Sequence, residues 1–221
     1  MDRGVTRVTK VTRTTSESRI TVAVDRGPRN AAQRESLKTP MPFFNHMLEH
    51  VAWRGELNLT VEVTLDRFDL AHVVTEDVGI AFGKALQEYI RDQFAAGIVG
   101  YGYAYGTIDE ALARAVLSFE SRAYLDFNAS AVTLPEQMEG MCSEDLVAFF
   151  EGFVQGAQCT LHLDLLKGRS GHGHHIWEAA FRSFGMALYE ALTARPWRGG
   201  MTAGVAGAIA FEVSTDADSA E

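Results

Sequence analysis

The sequence predicts an α+β protein built by tandem duplication, each copy a sheet with helices packed on it. Three observations predict this. Segments of period two and period 3.6 follow one another in the same order in both halves of the chain. A shift of 102 positions lays His72 on His174, Glu76 on Glu178, Glu49 on Glu151 and Leu59 on Leu161. In the same frame AFGKALQE (81–88) falls on SFGMALYE (183–190), with five of eight positions identical and no gap. Amphipathic helices resemble one another, but that does not explain why His and Glu keep the offset of the helix positions. The N-terminal strands suggest an offset one residue different, with Glu17-Ser18-Arg19 on Glu120-Ser121-Arg122. The expectation is one compact domain over 1–221, made of repeats at about 8–95 and about 108–195.

Taken in order, residues 5–25 are dense in Val and Thr alternating with charge, which suits strands, and GPRN closes them in a turn. MPFFNHMLEHVAWRG reads as a helix starting near Pro42, with Phe43, Met47, Leu48 and Val51 on one face and Gly55 at its end. ELNLTVEVTLD alternates as a strand. TEDVGIAFGKALQEYIRDQF is a second helix with Thr75 as its candidate N-cap. DEALARAVLSFESRAYLDFN mixes patterns and reads as strand from about Ala113. EDLVAFFEGFVQGA is a helix, CTLHLDLL a strand, and HHIWEAAFRSFGMALYEAL a helix stopped near Pro196. The acidic tail 214–221 is expected to be disordered.

Composition narrows the function. The chain has 221 residues, 47% apolar and 22% charged, which suits a soluble globular protein. No apolar run reaches the length of a membrane span. The opening MDRGVTRVTKVTRTTSES has no apolar core, so no secretory signal is expected. Cys142 and Cys159 lack metal-pair spacing and favour a reduced, cytoplasmic setting. A net charge of -9 argues against nucleic acid or an anionic membrane as partner.

The chemistry-bearing stretch is GHGHHIWEAAF. Residues three and four apart share a helix face, so His174, His175 and Glu178 present two imidazoles and a carboxylate within one turn. That donor set suits a divalent ion such as Zn or Mn; the competing reading is a polar helix start. His72 and Glu76 form an i,i+4 pair in the first repeat, and His46 lies on the helix before them, where a core histidine is the alternative. The duplicated frame then has eight slots. Six hold His46, His72, Glu76, His174, His175 and Glu178, while Val73 and Ala148 fill the others.

This pattern resembles the imidazoleglycerol-phosphate dehydratase family. The family's Arg-x-Thr-x-Glu-Thr corresponds to Arg13-Thr14-Thr15-Ser16-Glu17-Ser18, and its FLDHML to Phe43-Phe44-Asn45-His46-Met47-Leu48. HHTVEDVGIALG corresponds to 72–83, MDEALAR to 108–114, SGRPYL to 120–125 and HHxxEAxFKA to 174–183. The ordered match runs from about residue 7 to 195. The resemblance implies a duplicated fold of the ribosomal protein S5 domain 2-like kind. It implies homo-oligomers, trimers assembling further into a 24-subunit shell, with two manganese ions per active site at subunit contacts. It implies a dehydratase of histidine biosynthesis acting on a small molecule, imidazole glycerol phosphate, to give imidazole acetol phosphate. Glu17 would be the general base, with Arg122, Arg182 and His50 binding substrate. His50 stands where the family has Gln.

The departures are local. Two family histidines are Val73 and Ala148, with His50 and His172 placed to substitute. Gly100 replaces an arginine, Arg182 a lysine, and Gly204-Val-Ala-Gly207 the segment Ser-Thr-Lys-Gly. Two other readings therefore accompany the first. One is a divergent lyase for another imidazole or azole compound with a weakened phosphate pocket. The other is a non-catalytic, metal-stabilised assembly protein.

Overall fold

The computed structural model describes residues 7–66 and 70–212. The tail 214–221 lies outside the described residues. Each half runs three strands, a helix, a strand and a helix. The first comprises β1 (Thr9–Thr14), β2 (Ser18–Asp25), β3 (Leu37–Lys38), α1 (Pro42–Gly55), β4 (Asn58–Leu65) and α2 (Ala71–Asp92). The second comprises β5 (Tyr101–Ile108), β6 (Ala111–Ser118), β7 (Tyr124–Asn128), a short hairpin of β8 (Gln137–Met138) and β9 (Met141–Cys142), α3 (Ser143–Ala157), β10 (Thr160–Lys167) and α4 (Gly173–Ala191). The sheet orders are β1-β2-β4-β3 and β5-β6-β10-β7, the same permutation twice. In each, two antiparallel pairings precede one parallel pairing across a helix. The repeat expected from the sequence is thus present in every strand of the two four-stranded sheets, the β8–β9 hairpin being an addition to the second half.

The topology corrects one correspondence. The 102-residue shift holds for α1 on α3, β4 on β10 and α2 on α4. The N-terminal hairpins follow another offset, since β2 opens at Ser18 and β6 at Ala111, 93 positions on. Glu17 therefore corresponds to Glu110, each the residue just before its strand. Glu120-Ser121-Arg122 lies beyond β6, on the way to β7. The shared Glu-Ser-Arg letters reflect coincidence rather than equivalent position. The second half also begins upstream of 108, at β5.

β5 escaped the sequence reading for a physical reason. In YGYAYGTI the outward positions are Tyr101, Tyr103 and Tyr105, while Gly102 and Gly106 face α4. A Cβ at either glycine would run into the α4 backbone, at the carbonyls of Ala187 and Ala179 respectively. Until Ile108 at its end the inward face carries only glycine and alanine, so the usual period-two signal is absent. Thr75 is likewise not an N-cap. α2 begins one turn earlier, and the Thr75 hydroxyl donates to the carbonyls of Ala71 and His72, both at 3.0 Å.

Helices of one half pack on those of the other, α2 against α3 and α1 against α4, with the sheets outside them. Phe44, Phe82, Phe149, Phe150, Phe153 and Phe184 are fully buried at the centre. Each contributes roughly 2–3 kcal/mol through burial. Between α2 and α3 the approach is close enough to need glycine on both sides. Cβ atoms at Gly79 and Gly83 would strike the carbonyls of Phe149 and Phe153, and those at Gly152 and Gly156 the carbonyls of Glu76 and Ile80. No helix among the described residues is long and apolar enough to cross a membrane.

Candidate active site

The α1–α4 seam carries the chemistry. Proline at the first position starts α1, so that His46 and His50, one turn apart, share a face. On α4 the i,i+4 spacing stacks His174, Glu178 and Arg182. Glu178 is only 4% exposed, and four side chains surround its carboxylate. His50 Nε2 lies 3.1 Å from Oε1, His174 Nε2 3.4 Å and His46 Nε2 3.8 Å from Oε2. Arg182 closes the ring with an ion pair to Oε1 and donates a hydrogen bond to the Thr107 carbonyl at 2.8 Å. His46 and His50 meet Nε2 to Nε2 at 3.3 Å.

A carboxylate so buried must be paired or hold a cation. Arg182 is its permanent counter-charge. His50 does not add a second, because burial lowers its imidazole to about 4 despite the adjacent Glu178. A neutral ring keeps a lone pair for a metal. His174 is steadied on its other side by Glu139, 3.3 Å from Nδ1, and by the edge of Phe43. The donor set of His46, His50 and Glu178, with ligating atoms within 4.8 Å of one another, fits a divalent ion. His50, expected to contact substrate or to substitute as a ligand, stands inside this cluster.

A second cluster sits beside the first. His175 Nδ1 is 3.2 Å and His172 Nδ1 3.0 Å from the Glu110 carboxylate. Glu110 is held below the usual carboxylate range, first by a backbone hydrogen bond and then by His175. Sequence reading missed Glu110 because the hairpins were aligned ten residues out of place; the correct register pairs it with Glu17.

Glu17, His72 and Glu76 lie in the other half. The β1–β2 hairpin is fixed to α2 by Asp77, a buried carboxylate that receives Arg13 at 2.6 Å and the Ser18 hydroxyl at 3.1 Å. That clamp explains the Arg-x-Thr-x-Glu-Ser pattern, and it leaves the Glu17 carboxylate exposed beside Val73. His72 is exposed at the start of α2. Among the described residues neither His72 nor Glu76 joins a convergent group of three ligands. The structure thus brings His46, His174 and Glu178 together, sets His175 with Glu110, and keeps His72, Glu76 and Glu17 apart from both.

Arg122 belongs to a third place. It lines a cavity of about 420 Å³ with Arg91, Gln158 and the segment Gly204 to Gly207. Arg122, expected to bind substrate, and the segment that replaces the family's Ser-Thr-Lys-Gly therefore share one cavity, which Arg182 does not line.

Fold and site define a duplicated α+β protein whose helical seam holds imidazoles around a buried carboxylate. Residues 39–188 match the family model described as imidazoleglycerol-phosphate dehydratase. A relative of that name from Nitrosomonas eutropha is 40% identical over 191 residues, covering 86% of this chain and 93% of the relative. Another from Ralstonia pickettii is 38% identical over 206 residues, covering 93% and 100%. The Staphylococcus aureus enzyme structure superposes with a TM-score of 0.71 at 34% identity, covering 86% of this chain and all of that one. The chain belongs to the imidazoleglycerol-phosphate dehydratase family, and as a member it is an enzyme of the dehydratase class.

Proposed function

We propose that this chain removes water from imidazole glycerol phosphate to give imidazole acetol phosphate, a step of histidine biosynthesis, with a divalent metal, best Mn. The observation that carries this reading is the convergence of His46, His50 and His174 on buried Glu178. A bound metal would supply an electrophile for the substrate imidazole, letting the ring hold charge as the C–H bond breaks. His46, His72, Glu76, His174, His175 and Glu178 would hold metal. Glu17, exposed at the end of a hairpin that Asp77 anchors, takes the proton from carbon. The hydroxyl on the neighbouring carbon leaves as water with a proton returned from Glu17 or taken from solvent, and the enol left behind becomes the ketone. His50 joins His46 and Glu178 among the metal donors, Arg182 orients the substrate, and Arg122 binds phosphate from its own cavity.

Because Glu17, His72 and Glu76 do not reach the α1–α4 cluster within one chain, we assign them to the site of a neighbouring subunit. That assignment requires a homo-oligomer, for which the family resemblance implies a trimer and then a 24-subunit shell. Two unpaired cysteines, Cys159 buried with its thiol pushed up by burial, favour a cytoplasmic setting. The test is turnover of imidazole glycerol phosphate by protein loaded with Mn, alongside light scattering. Activity falling at least about 100-fold in Glu17→Gln, with assembly and metal content intact, supports the assignment. No turnover by metal-loaded, assembled wild type would remove it.

A further inference from the structure

Both halves bring the same strand and helix positions face to face, and they fill them differently. Pairing fixes the correspondence, since Ile20 pairs with Val63 as Ala113 pairs with Leu165. Arg13, Ser18 and Asp77 therefore correspond to Gly106, Ala111 and Ala179. In the second half the strand lies directly on the helix, where a Cβ at Gly106 would strike the Ala179 carbonyl. In the first half buried Asp77 instead receives Arg13 at 2.6 Å and the Ser18 hydroxyl at 3.1 Å. Buried ion pairs seldom stabilise a fold more than well-packed apolar groups do. The second half shows that an apolar contact suffices here, so the polar set of the first half answers to something besides stability.

What it holds is the backbone at Glu17. The Ser18 hydroxyl donates to Asp77, so Ser18 Oγ is left to accept from Thr15 Oγ1, 3.4 Å away. With its hydrogen turned toward Ser18, the Thr15 oxygen accepts the backbone N–H groups of Glu17 and Ser18, both at 3.1 Å. The Glu17 carbonyl accepts from the Asp66 N–H at 3.0 Å. The chain is thus tied on both sides of Glu17, while the Glu17 carboxylate makes no hydrogen bond or ion pair among the described residues. Its counterpart Glu110 is steered the other way, by direct contact of the carboxylate with His172 and His175.

We infer that Arg13, Thr15, Ser18 and Asp77 are positioning residues for Glu17. They form a side-chain relay from α2 that fixes the backbone of the proton-abstracting group and leaves its carboxylate free to reach a neighbouring subunit. The inference rests on the reading of Glu17 as the base. Displacing a reacting group by about 1 Å can cost about 100-fold in rate. Loosening the relay should therefore slow the chemical step without weakening substrate binding.

The experiment is a double-mutant cycle in the full-length, Mn-loaded protein turning over imidazole glycerol phosphate. Thr15→Val and Ser18→Ala are each made in wild type and in Glu17→Gln. Thr15 is exposed, and alanine already stands at the position matching Ser18, so both variants fold, checked by circular dichroism, light scattering and metal content. Each should lower kcat about 10- to 100-fold with KM within about 3-fold. In the Glu17→Gln background the same changes should move the residual rate by less than about 2-fold, because no base is left to position. Thr15→Ser, which keeps the hydroxyl, should recover most of the loss. Equal fold losses in both backgrounds would overturn the inference, making the relay a general structural element or a direct substrate contact. So would a kcat unchanged by both variants. Full activity in Glu17→Gln alone would overturn the base reading and this inference with it, and that corner of the cycle shows it without the other variants.

Discussion

Replacing Arg182 by methionine removes the permanent counter-charge of the most buried carboxylate in the seam. Glu178 is 4% exposed and loses its permanently cationic partner, which His50, lowered to about 4 by burial, does not replace at neutral pH. Breaking one side of a buried pair costs about 3–5 kcal/mol. Arg182 retains 18% exposure, which favours the lower end, and its bond to the Thr107 carbonyl adds about 1 kcal/mol. A loss of about 3–4 kcal/mol in a chain of this size lowers Tm by roughly 6–16 °C. Denaturant unfolding of chelator-treated protein, at fixed protein concentration, measures it. The second variant decides the cause. If unpaired charge is the penalty, Arg182→Met with Glu178→Gln recovers at least about 2 kcal/mol, because a buried amide needs only hydrogen bonds. Added divalent metal should restore stability to Arg182→Met but not to the double variant. A single variant within about 0.5 kcal/mol of wild type, or a double variant no more stable than the single, would refute the argument.

Other consequences follow from the same geometry. Folding lowers His50 from its unfolded value near 6.5 to about 4, so between these values the unfolded chain binds more protons. Stability of the metal-free protein is therefore full above pH about 6.5 and declines toward pH 4, by at most about 3 kcal/mol. His50→Gln should flatten this slope, and identical pH profiles would exclude His50 as its source. Gly152→Ala thrusts a Cβ into the Glu76 carbonyl and should cost about 3 kcal/mol or more, while Gly199→Ala, with nothing nearer than 3.4 Å, stays within about 0.5 kcal/mol. Equal unfolding midpoints for these two would show that the α2–α3 contact is not tight.

The sequence displayed whatever depends on spacing along one helix. Pro42 and Gly55 bracket α1, as read. His174 and Glu178 announce themselves four apart, and the tandem shift leads from them to His72 and Glu76, while His46 stands out only as a histidine on the helix before them. What depended on pairing between segments stayed hidden. Glu110 becomes visible only once β5 is known to pair with β6, and β5 conceals itself behind inward glycine and alanine. Leu70, His72 and Val73 seemed to precede a helix capped by Thr75, although α2 includes the last two. The role of Asp77, deep in an apparently apolar helix, is set by Arg13 and Ser18 from 60 residues upstream or so, beyond any local pattern.

The glycine-lined crossing of α2 and α3 has a counterpart in the crossing of α4 and α1. Where Gly152 lets Glu76's backbone approach, the matching residue is His50, and the residue matching Glu76 is Glu178. Gly156 becomes Arg54 and Gly79 becomes Phe181; only Gly83 keeps its kind, as Gly185 against Val51. A pair of identical halves would be obliged to make both crossings alike, either two rigid clasps or two polar clefts. Fusing them into one chain released that obligation, so one junction could specialise in holding the molecule shut while its twin gave up close contact to shelter charge.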